Sequence, residues 1–288
     1  MKEILPNVFI ESGTAGVVLG AVRLTEGILF VDSPLLAKDA QEWRSAHAKP
    51  SSSYERMLIL LDEHPDRTIG AKAMKSTLVA HEKTAQLIGN RPLASKPFNT
   101  HNGAAWEYCN QLGSIHWVQP EITFTHSLFI HWGDEPAILE YHPGPSKGAS
   151  WLGLPEQKLF FIGDCVTVSQ PPFLTSADLT AWLETLTLLR SAKFREAILI
   201  GSRDGLVTQE EVKAMIALLN RIKNKLSKLA DSMEPSTVDG FAVELAGEYK
   251  ARNEKEAEMF KTRLICGLQH QYLNFHPTKE KGKRRVEK

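Results

Sequence analysis

The residues that could carry out chemistry are concentrated in four short segments, each at the end of an apolar run typical of a β-strand. The densest is segment 62–67, Asp-Glu-His-Pro-Asp-Arg, which directly follows the apolar run 57–61. If this segment is extended, the side chains at 62, 64 and 66 point into a common space, as a cluster of ligands requires. The other three segments are 141–148, 161–164 and 200–205.

The elements that must position these segments occur in two similar blocks. The first block predicts strands 7–11, 16–24 and 27–32, helix 37–48, strand 57–61, helix 68–75, strand 77–80 and helix 81–87. An irregular connection covers 89–113. The second block predicts strands 122–132, 137–141, 149–153 and 158–162, helix 176–189 and strand 197–201. Strands followed by helices, twice, favour two sheets packed face to face with helices on their outer sides.

The last part of the chain is predicted to be helical. Thr208, three residues before Glu211, is typical of a capping box and begins a helix that runs to about 232. A second helical pattern covers 236–272. We expect these helices to pack on one side of the core, with a cover over the pocket mouth or a dimer contact as the alternatives. The basic segment 279–288 is expected to be a solvated tail, with a contact to nucleic acid or anionic lipid as the alternative.

Composition excludes several classes of function. The 288 residues include 34 Lys and Arg and 34 Asp and Glu, so the formal net charge is zero and does not favour nucleic acid or an anionic membrane. The three cysteines are spaced unlike a zinc ribbon or a redox pair, which suits a reducing compartment. No apolar run approaches the ~20 residues that span a bilayer, and no targeting segment opens the chain. We therefore expect a soluble, cytoplasmic protein with no membrane or nucleic-acid partner.

The sequence offers no other catalytic signature. It contains no Gly-x-Ser-x-Gly, no phosphate-binding loop and no dinucleotide fingerprint. Ser146 has no adjacent base in sequence, and the charge of Asp164 disfavours the thiolate of Cys165 next to it. Chemistry must therefore depend on the charged segments.

The order of these segments resembles the metallo-β-lactamase superfamily, in the branch that includes glyoxalase II. The resemblance rests on a strand with an alternate-position loop, a Pro-Gly turn at 143–144, a strand that ends in Gly163-Asp164 and a later glycine-containing strand end. It covers residues 4–220 and implies an α+β fold, a four-layer αββα sandwich with added C-terminal helices. The implied organisation is a domain over 1–220, a helical extension over 221–278 and the basic tail 279–288.

The family's metal ligands are only partly matched. Its loop is His-x-His-x-Asp-His, and these positions hold Asp62, His64, Asp66 and Arg67 here. In its Pro-Gly-His turn, the histidine position holds Pro145. The bridging aspartate is matched by Asp164, and the last histidine is best matched by Arg203, with a register one residue earlier, at Ser202, as the alternative.

Two arginines at histidine positions suggest how carboxylates could remain without a second ion. A guanidinium is always charged and cannot bind a metal, but its donors match a carboxylate. We therefore hypothesise that Arg67 and Arg203 occupy the space of the second metal and pair with Asp66 and Asp164. The alternative is that both arginines merely replace surface residues.

The residues left for a first metal are Asp62, His64 and Asp164, which could hold at most one zinc, manganese or iron ion. We expect this site to be weak, because Asp164 cannot easily serve both an ion and Arg203. The expected cofactor is therefore none or one divalent transition metal. His142 lies close to the missing ligand and is a candidate stand-in, with a structural role as the alternative.

The favoured function is hydrolase-like in fold, with the dinuclear centre largely lost and a small anionic ligand bound through Arg67, Arg203 and His142. Lys147 is a further candidate for this contact. The alternative is a mononuclear metal-dependent hydrolase of an ester, thioester or lactone. If the protein is catalytic, Asp66 and Asp164 are the expected catalytic carboxylates. Without a metal, Asp62 or Asp66 would act as a general base on water, with an arginine as oxyanion partner. A homodimer is a further expectation.

Overall fold

Two mixed β-sheets form the centre of the protein in a computed structural model that describes residues 1–48, 54–91, 102–112, 115–232 and 236–275. The predicted tail 279–288 lies outside the described residues. In the described chain the first sheet has seven strands, adjacent in sequence order: β1 (Lys2–Leu5), β2 (Val8–Ser12), β3 (Val18–Arg23), β4 (Gly27–Val31), β5 (Glu55–Leu60), β6 (Thr77–His81) and β7 (Ile122–Phe124). Strands β1 to β4 pair antiparallel and β4 to β7 pair parallel.

The second sheet, in the same described ranges, has six strands in the spatial order β13-β12-β11-β10-β9-β8. These strands are β8 (Ser127–Ile130), β9 (Ala137–Tyr141), β10 (Ser150–Leu154), β11 (Leu159–Gly163), β12 (Ile198–Gly201) and β13 (Gly205–Val207). Only β11 and β12 pair parallel, with Leu159 opposite Ile198, so their carboxyl ends lie side by side.

Helices cover the outer faces of both sheets. Those of the first half are α1 (Ala37–Ala46), α2 (Pro65–Thr68), α3 (Ala71–Met74) and α4 (Glu82–Gly89), and those of the second half are α5 (Leu179–Leu189), α6 (Gln209–Ser232), α7 (Ser236–Ala246) and α8 (Glu254–Phe275). None of the helices in the described ranges is both long and apolar enough to cross a bilayer.

Three apolar clusters hold these four layers together. The cluster between the sheets joins residues such as Leu29 and Ile59 of the first sheet to Leu152 of the second. One outer cluster packs α1 and α3 on the first sheet. The largest packs α5 to α8 on the second sheet, so the C-terminal helices share its core, as predicted. The arrangement is the αββα sandwich expected from the sequence.

Several predicted elements differ from those observed. The predicted strand 122–132 is two strands, β7 and β8, which lie in different sheets, because the exposed pair Thr125 and His126 lets the chain cross between them. The predicted helix 68–75 is the two single-turn helices α2 and α3, separated at Gly70. The helical pattern 236–272 is likewise two helices, α7 and α8.

Three further features can be compared with the sequence predictions: the start of α6, the predicted domain boundary and two edge strands. The capping box is present, with Glu211 accepting from the Thr208 backbone N–H and Thr208 Oγ1 accepting from the Glu211 N–H. Residue 220, the predicted domain boundary, lies inside the continuous helix α6. Strands β1 and β13 are not among the predicted elements, since each is short and lies at a sheet edge.

The carboxyl ends of β4, β5, β11 and β12 converge at one edge of the sandwich. The residues that follow these strands are polar or charged and buried: Asp32, Asp62, Asp164 and Arg203. Gly163 ends β11 in the left-handed region, at φ 60°, which glycine adopts without strain. The loop that follows β5 continues into α2, whose first residue is Pro65, a residue suited to the first helical position.

We predict that Gly70→Ala destabilises the protein by about 1–3 kcal/mol or more, because its Cβ would lie 1.9 Å from the Pro34 carbonyl oxygen and would force α2 and the loop after β4 apart. Gly240→Ala is the matched control, since a Cβ there meets nothing within 4 Å and the residue lies in α7. The control should stabilise by about 0.5–1 kcal/mol. Urea unfolding measures both, and equal effects of the two substitutions would contradict the packing described.

Candidate functional site

A fully buried arginine stands at the centre of the converging strand ends. Arg67 has no exposed side-chain surface, and its guanidinium contacts four carboxylates. Nη2 donates to Asp164 at 2.7 Å, Nη1 to Asp62 at 3.3 Å and Nε to Asp66 at 3.5 Å. Nη1 also lies 3.6 Å from Asp32 Oδ2. The permanent charge of arginine suits this position, because a buried carboxylate without a partner is costly.

A second arginine completes the charge pairing from the other sheet. Arg203 follows β12 and donates from Nε and Nη2 to the two oxygens of Asp164, both at 3.0 Å. Its Nη1 donates to Asp66 at 2.6 Å. The contact with Asp164 is bidentate, a geometry that a guanidinium and a carboxylate form well. We call the six residues the aspartate–arginine cluster: Asp32, Asp62, Asp66, Arg67, Asp164 and Arg203.

The pairing lowers the pKa of three carboxyl groups in this cluster. Burial alone would raise the pKa of Asp62, but the charges of Arg67 and His64 outweigh it and lower that pKa to about 2. The same balance, with Arg203 as the strongest favourable charge, holds the pKa values of Asp66 and Asp164 below the usual range. These three groups are therefore ionised at neutral pH.

Asp32 behaves differently, because burial dominates its environment. Burial, only partly opposed by Arg67, raises its pKa to about 7. Its Oδ1 accepts from the Leu61 N–H at 3.1 Å and its Oδ2 from Ser202 Oγ at 3.1 Å. The residue also has φ 58°, an uncommon backbone conformation outside glycine.

His64 lies at the edge of the aspartate–arginine cluster. Its Nδ1 is 3.1 Å from Asp62 Oδ2 and 3.9 Å from Asp164 Oδ2. Burial favours the neutral ring, but the charge of Asp62 outweighs burial and raises the pKa of His64, which favours the imidazolium. Asp62, His64 and Asp164 offer one ligand atom each within 4.8 Å of one another, the spacing that a single metal ion needs.

A cavity of about 260 Å³ opens beside His64. Its walls include the side chains of Glu63, His64, Arg91, Trp106, Phe173 and Ser176. The ring of Phe173 packs 5.1 Å from the imidazole of His64 and 5.1 Å from the guanidinium carbon of Arg203. The cavity therefore borders the aspartate–arginine cluster through an imidazole and an aromatic ring.

A buried arginine from the C-terminal helix α8 fixes that ring. The guanidinium of Arg263 stacks 3.9 Å from the centre of Phe173. Its nitrogens donate to the carbonyl oxygens of Gly103 and Pro171 and to Gln170 Oε1 at 2.8–3.1 Å. Burial, and next the charge of Arg203, lower the pKa of Arg263 to about 9. Helix α8 thus positions one ring of the cavity wall, although it lies far in sequence from the four strand-end segments.

Comparison with known proteins gives a result at the level of structure. No protein-family model matches the sequence, and a search of curated proteins finds no match. A metallo-β-lactamase from Pontibacter korlensis superposes with a TM-score of 0.54 at 18% identity, over 76% of this chain and 97% of that chain. A metallo-β-lactamase family protein from Thermus thermophilus gives 0.65 at 15% identity, over 94% of each chain.

A third match is to a stereoselective inverting sec-alkylsulfatase from Pseudomonas sp., with a TM-score of 0.63 at 13% identity. The superposition covers 99% of this chain and 52% of the sulfatase, so this chain spans about half the length of that enzyme. This chain has the metallo-β-lactamase fold. The resemblance inferred from the strand-end segments is confirmed at the level of the fold.

Within the metallo-β-lactamase fold, most of the predicted site residues meet. Asp62, Asp66 and Asp164 lie around the two arginines, and both arginines are buried, so the alternative of surface replacements is wrong. Because Arg67 has no exposed side-chain surface, it offers no donor to a ligand in this conformation. Its contacts are with carboxylates, and its predicted role in ligand binding stays a prediction.

Other predicted or candidate residues lie apart from the cluster. His142 stacks on Trp151 at 3.7 Å, with Nε2 3.8 Å from Glu140, and contacts no member of the aspartate–arginine cluster. These contacts are those of a structural histidine, the alternative given for His142, and the ligand-binding role stays a prediction. Burial raises the pKa of the Cys165 thiol, so that residue is no nucleophile.

Sequence reasoning missed Asp32, Phe173, Arg91 and Arg263 as parts of this region. A signal existed for Asp32, which closes an apolar strand in the same way as Asp164. Arg91 and Arg263 lie outside the strand-end segments, and their positions depend on tertiary packing.

We predict that Arg67→Met lowers the free energy of unfolding at pH 7 by about 3–5 kcal/mol, because it leaves buried carboxylates without their partner. The loss should shrink as the pH falls toward ~4, because the unpaired carboxylates of the variant then take up protons. In the unsubstituted protein, the contribution of Asp62 is present above ~4 and is lost as the pH falls to about 2.

The control is Arg221→Met, since Arg221 forms its ion pairs with Glu244 and Glu248 at the surface. This substitution should cost no more than about 1 kcal/mol. Urea unfolding from pH 4 to pH 8 measures both variants. A pH-independent loss for Arg67→Met, or a loss no larger than that of the control, would contradict the pairing scheme.

Proposed function

We propose that the aspartate–arginine cluster takes the place of a dinuclear metal centre in this metallo-β-lactamase fold, and that the protein works by binding a small molecule through an anionic group. The observation that carries this proposal is the environment of Arg67, a fully buried guanidinium in contact with four carboxylates. The neighbours in structure include β-lactamases and a sec-alkylsulfatase, names that denote small-molecule substrates, which supports a ligand of that size.

The residues present do not fit two metal ions. Asp66 and Asp164 would have to bind a second ion, yet both already accept from Arg203 at 2.6–3.0 Å. Arg67 donates to both as well. A divalent ion placed among these oxygens would lie against two permanent positive charges, so it would have to displace both side chains.

The ionised carboxylates of the cluster are paired with positive side chains and need no ion for that pairing. Asp62, Asp66 and Asp164 are ionised, and Asp32, with a pKa of about 7, carries a proton below that pH. Against the three ionised carboxylates stand the permanent charges of Arg67 and Arg203, and the charge of Asp62 raises the pKa of His64, which favours a further positive charge beside them. This pairing supports a metal-free resting state, since buried charge is tolerated when it is paired and hydrogen-bonded.

A half-buried arginine in the cavity wall, Arg91, and a buried one behind it, Arg263, support binding of an anionic group. Among the described residues, neither Arg91 nor Arg263 forms a salt bridge with a carboxylate. Arg91 donates to the carbonyl oxygen of Glu63 and to Thr68 Oγ1, and it stacks on Trp117 at 4.4 Å. Burial lowers the pKa of Arg91, which means that an anion beside it would stabilise its charged form. Arg91 lines the cavity, whereas Arg263 acts on it through Phe173.

A single metal ion on Asp62, His64 and Asp164 is the second candidate, and the 4.8 Å spacing of their ligand atoms favours it. Zinc, manganese or iron there would supply Lewis-acid polarisation of a carbonyl for hydrolysis. The proximity of Arg67 to both carboxylates opposes this candidate, because its guanidinium already donates to Asp62 and Asp164.

We predict that protein purified without chelator contains well under one equivalent of zinc, manganese or iron by elemental mass spectrometry. Its melting temperature should not change with EDTA, because no ion links the carboxylates. The second candidate predicts instead about one equivalent of metal that is lost in Asp62→Ala and in His64→Ala.

His142→Ala serves as the histidine control, since that ring contacts Trp151 and not the cluster. Retention of metal in His142→Ala with its loss in His64→Ala would establish the single-metal site. That result, together with a melting temperature lowered by EDTA, would overturn the metal-free proposal.

A further inference from the structure

Two opposite charges on one wall of the cavity, Glu63 and Arg91, attract each other but form no salt bridge among the described residues. Glu63 and Arg91 both line the cavity, and the Arg91 guanidinium donates to the backbone carbonyl of Glu63. Among the described residues, no donor bonds to the Glu63 carboxylate, and its Oε2 is buried without a partner. Glu63 is only 7% exposed. A carboxylate left without a donor at such burial is costly, so it indicates a missing partner.

The surroundings of Arg91 explain why it does not fill this role. Its guanidinium is held against the ring of Trp117 at 4.4 Å and by Thr68 Oγ1 at 3.5 Å. These contacts hold it at the backbone carbonyl of Glu63, with no hydrogen bond to the carboxylate. The wall therefore presents an anion and a cation at neighbouring positions, neither of which forms a salt bridge among the described residues.

The rest of the cavity limits the shape of a ligand. The rings of Phe173 and Trp106 form apolar walls, and Phe173 is fixed by Arg263. A volume of about 260 Å³ is below the usual range of pockets for drug-sized ligands, which begins at roughly 300 Å³. The cavity thus suits a small molecule that carries both charges and a modest apolar group.

We propose that this cavity binds a free α-amino acid, with the carboxylate against Arg91, the ammonium group against Glu63 and the side chain between the rings of Phe173 and Trp106. The carboxylate contact rests on the proposed function above, whereas the ammonium contact is independent of it. We choose an α-amino acid because its ammonium donor and its carboxylate are attached to the same carbon atom. They can therefore reach Glu63 and Arg91, which are neighbours in the wall, at the same time.

The probes are the standard L-α-amino acids, each tested singly by thermal shift. The amino acid with the largest shift is then titrated by calorimetry beside two of its analogues, the desamino carboxylic acid and the decarboxylated amine. We expect the amino acid to bind about tenfold or more tightly than either analogue, because each analogue leaves one buried charge of the wall unpaired.

Variants assign the two contacts. Glu63→Gln should weaken the amino acid about tenfold and leave the affinity for the desamino acid within about twofold, because only the ammonium contact loses its charge. Arg91→Gln should weaken both ligands. Glu184→Gln, at an exposed position of α5, is the matched control and should change neither affinity. In the absence of ligand, Glu63→Gln should melt at the same or a higher temperature than the unsubstituted protein, which shows that it folds.

The outcomes separate this inference from the proposed function. Equal binding of the amino acid and its desamino analogue, or an amino-acid affinity unchanged by Glu63→Gln, would overturn the zwitterion inference and leave carboxylate binding intact. No thermal shift with any amino acid would also overturn it. If the carboxylic acids fail as well, the anionic-ligand part of the proposed function fails, while the metal-free cluster is judged by the metal analysis alone.

Discussion

The guanidinium of Arg67 and the four carboxylates around it are the interaction on which the rest of this structure depends. The carboxylates come from different elements: Asp32 follows β4, Asp62 follows β5, Asp66 lies in α2 and Asp164 follows β11. One planar, fully buried cation therefore ties the ends of both sheets together. Any other occupant of this position must supply comparable positive charge, because the carboxylates are too deeply buried to remain unpaired.

An arginine and a metal ion can both neutralise these buried carboxylates, but they differ in what they leave free to contact a substrate. A metal ion leaves coordination positions open to substrate, whereas the donors of Arg67 and Arg203 are directed at protein carboxylates. The charged residues that border the cavity are instead His64, Arg91 and Glu63, which lie beside the aspartate–arginine cluster. The cation–π contacts of Phe173 with Arg203 and Arg263 connect that wall to the cluster and to the C-terminal helix α8.

The sequence predicted the parts of the fold and site that depend on local pattern. Buried strands ending in charged residues indicated where Asp62, Asp164 and Arg203 would lie. The chemistry of guanidinium indicated that Arg67 and Arg203 would pair with Asp66 and Asp164. It did not indicate that Arg67 would also contact Asp32, because that contact depends on how β4 and β5 pair. The division of 122–132 between two sheets and the place of Arg263 beside Phe173 likewise follow from tertiary packing, which no local pattern encodes.

The most direct measurement is a crystal structure from zinc-soaked crystals with anomalous diffraction recorded at the zinc absorption edge. The account predicts guanidinium density for Arg67 between Asp62, Asp66 and Asp164, with no anomalous peak among these oxygens. An anomalous peak there, with the Arg67 side chain turned away from the carboxylates, would contradict it.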